Sequence, residues 1–172
     1  MESFTWLSAR TVELLTGPAL TLSLLAGLLI AAAISDLRRF LIPNAIVLCV
    51  GALALIFQFQ AGGALGPAIL VAGIVLLVGF AAYALRLVGA GDAKLLAALA
   101  LWAGPTEITA LLVQTVLLGG ALSLLWVLSG PLRHGLVAAG VDIAADPPRR
   151  IPYGLAIAGG GLLMIARLWP GL

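Results

Sequence analysis

The sequence predicts an all-α, polytopic membrane protein with about six transmembrane helices. Three observations carry that prediction. Of the 172 residues, 63% are hydrophobic and only 9% are charged, whereas a soluble domain is roughly 45–50% apolar and about 25% charged. Uncharged intervals of 22 residues (Glu13 to Asp36), 46 (Arg39 to Arg86) and 25 (Glu107 to Arg133) match the ~20 apolar residues that one helical span needs. Proline and glycine stand between the apolar runs, where turns are needed. With a mean hydropathy of +1.21, the chain cannot hide its apolar surface in one small soluble core. A soluble enzyme, a nucleic-acid-binding protein and a disordered chain are therefore excluded.

Helices are expected at about 18–34, 43–59, 65–85, 93–103, 108–129 and 152–168. The first fills the interval before Asp36. The second starts at Pro43, since the first turn of a helix needs no N–H there. Gly62, Gly63, Gly66 and Pro67 separate it from the third. The fourth is short: its eleven residues rise only ~16 Å, and a helix that stops at depth is tolerated only inside protein or beside water. Gly104-Pro105 divides the fourth from the fifth, Gly130-Pro131 ends the fifth, and Pro147-Pro148 and Pro152 bracket the sixth. Gly73, Gly79, Gly119, Gly120, Gly159, Gly160 and Gly161 lie within spans, where small residues let helices approach closely.

Charge sets the expected orientation. The first, third and fifth loops carry Arg38, Arg39, Arg86, Lys94, Arg133, Arg149 and Arg150, against Arg10 and Arg167 on the other side. The positive-inside rule puts the odd loops in the cytoplasm and both termini outside, as six spans require. The chain reads as one domain over 1–172, with 130–151 as a cytoplasmic loop. Residues 1–17 mix Phe4, Trp6 and Leu7 with Glu2, Arg10 and Glu13, which fits either an interfacial helix or a frayed end. Ala31-Ala32-Ala33 has the look of a processing site, but the acidic start and the following Arg38 and Arg39 argue against cleavage. Trp6, Trp102, Trp126 and Trp169 read as interface anchors.

Few residues could do chemistry. One cysteine, Cys49, excludes an internal disulfide and a cysteine-rich zinc site. One histidine, His134, excludes a paired-histidine metalloprotease and reads as a solvated bystander in the 131–150 loop, with Asp142 and Asp146. Two acids stand out at the cytoplasmic ends of apolar spans: Asp36 in Ser35-Asp36-Leu37-Arg38-Arg39, and Asp92 in Gly89-Ala90-Gly91-Asp92-Ala93-Lys94-Leu95. Each has a bland reading, Asp92 as a helix N-cap and Asp36 as an interfacial partner of Arg38 or Arg39. Yet an acid at a helix C-terminus opposes the helix dipole, and the glycines flanking Ala90 leave bare backbone that an extended peptide could approach. Two carboxylates on one side of a bundle suggest a dyad in which one acid keeps its proton while the other activates water. Such chemistry calls for no metal and no cofactor. A proton-coupled carrier using both acids as relays is the alternative, but carriers tend to show repeat symmetry and polar groups near the midplane. A structural membrane subunit with two capping aspartates is a third reading.

The run from Asp36 to Ile42-Pro43-Asn44, the run Gly89–Leu95, the continuation Leu96–Gly104 and the late Ile151-Pro152-Tyr153-Gly154 together resemble the type IV prepilin peptidases, which are Gly-x-Gly-Asp intramembrane aspartyl proteases. The resemblance covers about residues 20–168. It implies an intramembrane aspartyl protease fold, Asp36 and Asp92 as the catalytic pair, and Gly89 and Gly91 as shapers of the active-site loop. It also implies a prepilin or pseudopilin substrate, cleaved after a glycine at the cytoplasmic face of a prokaryotic inner membrane. Larger members carry a cysteine-rich, zinc-binding cytoplasmic part and methylate the new N-terminus. Here the first loop is short and Cys49 lies in a span, so peptidase without methyltransferase is implied, as in the short forms of tight-adherence (Flp) pili. Lys94 either tunes the pair, binds substrate or snorkels to the interface. Pro43 and Asn44 are expected to set the start of the second helix, with Asn44 bonding to the loop near Asp36.

Overall fold

The computed structural model describes residues 17–60, 62–138 and 151–169, and every regular element among them is helical. The order is α1 (Pro18–Arg39), α2 (Asn44–Gln60), α3 (Leu65–Ala84), α4 (Ala90–Ala138) and α5 (Tyr153–Leu168). Residues 1–16 and 139–150 lie outside the described residues, and with them the readings of the N-terminal segment, Trp6, Asp142 and Asp146. The same holds for the side chain of His134.

Helix α1 opens with Pro18 in its first turn, where a fixed φ and a missing N–H cost nothing. Its buried residues Leu22, Leu25, Leu29, Ala32 and Asp36 recur every three or four positions and form one stripe. The helix runs five residues past the expected end at 34. The polar run Ser35–Arg39 ends the apolar stretch, but the backbone stops only at Phe40, in the left-handed region at φ 51°. There the Phe40 N–H donates to the Asp36 carbonyl at 2.8 Å, a closure that satisfies an otherwise orphaned helix-end carbonyl.

Helices α2 and α3 begin where Pro43 and the glycine-rich turn place them. Pro43 offers its carbonyl to the Ile46 N–H at 3.1 Å. Helix α3 packs along α4, and a β-carbon on Gly79 would lie 2.9 Å from Ala93 Cβ, yet Ala68 is its one buried residue. Its exposed side chains, Ile69, Leu70, Leu77, Val78 and Phe80 among them, are apolar, as suits a face turned to lipid.

The two helices expected around Gly104 are one long element broken by it. Gly104 sits at φ 55°, ψ −166° inside α4, a region essentially restricted to glycine. Residues 90–103 form the first limb and 105–138 the second. The first limb is the centre of the bundle: Ala93, Leu95, Ala97, Leu99, Ala100, Trp102 and Ala103 are all buried. The second continues through Gly130-Pro131 to Ala138 rather than stopping at 129. Proline within a helix is tolerated in a membrane-spanning segment. Gly104→Ala is expected to destabilise the protein by about 1–3 kcal/mol, the cost of forcing a side chain into that region; thermal unfolding in detergent checks it.

Helix α5 packs on α1 and on the second limb of α4 through small residues. A β-carbon on Gly160 would lie 2.5 Å from Thr115 Oγ1, and one on Gly161 would lie 2.7 Å from Leu29 Cδ1 and 3.1 Å from Leu99 Cδ1. Gly79, Gly119 and Gly159 also meet neighbours closely, whereas Gly73 and Gly120 face open space and do not serve packing in this chain. Near the other end of α5, Arg167 pairs with Glu107 at 3.2 Å and donates to Gln114 at 3.1 Å. Trp102 is not an interface anchor. It is 2% exposed, donates from Nε1 to the Val50 carbonyl at 2.9 Å, and stacks at a tilt on Phe57 with ring centroids 4.9 Å apart.

Among the described residues, three helices are long and apolar enough to cross a membrane: Pro18–Arg39, Leu65–Ala84 and Ala90–Ser129. Helices α2 and α5, at 17 and 16 residues, are apolar but shorter. The chain is an all-α membrane protein.

Candidate active site

Asp36 lies in the last turn of α1 and is 6% exposed, while its neighbours Arg38 and Arg39 are exposed. Its carboxylate belongs to the buried stripe and turns inward, away from the pairing with Arg38 or Arg39 that the sequence allows. There Oδ2 accepts the backbone N–H of Gly154 at 2.7 Å. This bond joins the end of α1 to the start of α5.

Asp92 lies in the first turn of α4, which begins at Ala90 and not at the expected 93. It is therefore the third helical residue rather than the N-cap. Its Oδ2 accepts the N–H of Gly89 at 3.3 Å, the return half of a capping box. A negative charge also suits the positive end of the helix dipole. The Asp92 carboxylate fills the space where a β-carbon on Gly89 would sit, 2.8 Å from Oδ2, so a side chain at Gly89 would push the acid aside.

Ile42 connects the two halves. Its backbone follows the loop after α1, where Ser35 Oγ donates to the Leu41 carbonyl at 2.8 Å. A β-carbon on Gly91 would lie 3.2 Å from Ile42 Cβ, and one on Gly154 would lie 2.9 Å from Ile42 Cδ1. One buried side chain thus touches both the turn carrying Asp92 and the turn bound to Asp36. Turns that carry acids 56 positions apart in the chain share one packing neighbour at the same end of the bundle.

The remaining expected site residues fall around this pair. Pro43 and Asn44 start α2, as anticipated. Asn44 does not bond to the loop near Asp36. Its Oδ1 accepts from Lys94 Nζ at 3.2 Å, which ties the start of α2 to the start of α4. Lys94 is exposed, and this bond to Asn44 is a use the sequence did not suggest. Two contributors were not foreseen at all: the Gly154 amide and the Ile42 side chain. Ile151-Pro152-Tyr153-Gly154 was visible as a motif, but nothing in its spacing shows that it meets Asp36. Among the described residues, no group of three or more His, Cys, Asp or Glu side chains is placed to hold a metal ion.

No curated protein and no solved structure matches the chain significantly. Compared with known families, residues 23–124 match the type IV leader peptidases. The match runs from α1 into the second limb of α4 and takes in Asp36, the Ile42-Pro43-Asn44 loop and the Gly89–Asp92 turn. With more than half of its length inside that match, the chain belongs to the type IV leader peptidase family.

Proposed function

We propose that the protein is an intramembrane aspartyl endopeptidase. It removes the leader peptide of type IV prepilins or pseudopilins at the cytoplasmic face of the inner membrane. What supports the reading is that Asp36, at the end of α1, and Asp92, at the start of α4, stand on turns that both pack on Ile42. Family membership supplies the reaction class.

In this reading α1, α2, α3, the two limbs of α4 and α5 make six crossings. The Arg38, Arg39, Arg86 and Lys94 side of the bundle faces the cytoplasm. The ionised aspartate takes a proton from water as the oxygen attacks the scissile carbonyl carbon. The protonated aspartate gives its proton to the carbonyl oxygen, forming a tetrahedral intermediate. Collapse breaks the C–N bond: the first acid returns its proton to the departing nitrogen while the second takes back a proton from one hydroxyl as the carbonyl re-forms, so the pair again holds one proton. The leader leaves with a new carboxylate, and the mature pilin keeps a free amine and its apolar segment in the membrane. The short loop between α1 and α2 and the lone Cys49, which sits on α2, favour peptidase without methyltransferase. They also favour service to a tight-adherence type pilus.

The test is co-expression with precursors that carry a short basic leader ending in glycine, then an apolar segment with Glu at its fifth position. A size shift that requires both aspartates is expected. No shift for any such precursor, from a protein that accumulates in the membrane, would refute the reading.

A further inference from the structure

The Asp36–Gly154 bond joins residues 118 positions apart and is buried, and Gly154 lies beyond the family match, which ends at 124. Its geometry is built from several independent contacts. Pro152 is the N-cap of α5 and is fully buried. Gly154 is the second residue of the helix, so its N–H has no partner within the helix and points out of the N-terminus. The Asp36 carboxylate fills that position. A β-carbon on Gly154 would lie 2.8 Å from Asp36 Oδ2 and 2.9 Å from its Cγ, so only glycine lets the amide come this close.

The neighbouring residue anchors the turn from the other side. The Tyr153 ring lies against Gly119, where a β-carbon would be 2.8 Å from Cε1. The Tyr153 hydroxyl is 3.1 Å from Ser123 Oγ. Ser123 Oγ donates its single proton to the Gly119 carbonyl at 2.7 Å, so Tyr153 is the donor to Ser123. The start of α5 is therefore held to the second limb of α4 on one side and to Asp36 on the other.

We propose that Ile151–Gly154 is the positioning element for Asp36. The Gly154 amide fixes Oδ2 and so the orientation of the whole carboxylate, and Tyr153 and Ser123 hold that amide in register. Gly154, Tyr153 and Ser123 are positioning residues, which act through Asp36. The proposal rests on the catalytic reading of Asp36, and the experiment separates the two.

The full chain, purified in detergent, is assayed on the glycine-leader precursor described above, with kcat and KM measured separately. Gly154→Ala is expected to lower kcat by about 10²-fold, the scale of a misplacement near 1 Å. KM should stay within about twofold, because ground-state binding is untouched. Tyr153→Phe and Ser123→Ala should each lower kcat about two- to tenfold, the worth of one hydrogen bond. The double variant should lose no more than the worse single, since both remove the same contact. Ser123→Thr, which keeps the hydroxyl, should restore activity. Wild-type kcat in a folded Gly154→Ala protein, or a change confined to KM, overturns the proposal. If Gly154→Ala does not accumulate, wild-type kcat in both Tyr153→Phe and Ser123→Ala overturns it instead. Asp36→Asn is run alongside. An active Asp36→Asn protein refutes the catalytic reading itself, whereas an inactive one beside an unaffected Gly154→Ala refutes positioning alone.

Discussion

Asp36→Asn and Asp92→Asn should each stop precursor processing, with losses of roughly 10²–10⁴-fold or more, the range attributed to a single general acid or base. The substitution is nearly isosteric and leaves the surroundings intact. An asparagine oxygen at 36 can still accept the Gly154 N–H, and one at 92 can still accept the Gly89 N–H. Both variants should therefore accumulate in the membrane at wild-type levels. What they lose is the ability to exchange a proton with water or with the scissile carbonyl. Because the acids act as a unit, the double variant should be no worse than either single. The wild-type rate should also trace a bell against pH, with two macroscopic pKa values that belong to the pair. Normal processing by either variant, or a flat profile from about pH 4 to 9, would remove the dyad from the account.

Trp102→Ala should be the most damaging change away from the acids, costing about 3–5 kcal/mol, as for other large aromatic truncations in close-packed interiors. Trp102 closes the first limb of α4 just before the Gly104 break. Its ring fills the space against Phe57, and its Nε1 reaches the Val50 carbonyl, so one side chain ties α4 to two points about two turns apart on α2. Truncation opens a cavity and removes that bond together. Detergent-solubilised Trp102→Ala protein should melt well below wild type, and Trp102→Phe, which restores most of the volume, should recover much of the difference. Melting curves that superimpose would show that the helices are held by other contacts.

The helices were legible because lipid and water impose opposite demands, and the charged residues mark where one gives way to the other. Pro18, Pro43, Gly104 and Pro152 then punctuate the runs within a few residues of the true breaks. Hydropathy misled where the backbone followed a different rule. Ser35–Arg39 is polar yet helical, because a helix ends where its last carbonyls find partners, here at Phe40. Gly130-Pro131 resembles a stop signal, but a proline can remain inside an apolar helix. Trp102 had the profile of an interface residue because it stands near a helix end, and only the fold brings Phe57 and Val50 to it. Both acids could be picked out from their local sequence. The packing that joins their turns could not: Ile42, Gly91 and Gly154 adjoin through contacts that no periodicity encodes.

Ile42 gives the site a physical gauge. The halves bearing the two acids come from distant stretches of chain, and one aliphatic branch lies between their supports, touching the bare backbone of a glycine on either side. Interiors packed this tightly register the gain or loss of a single methylene. The spacing between those two supports is thus set by the dimensions of one hydrocarbon side chain, and a longer or shorter branch at position 42 would shift one turn against the other.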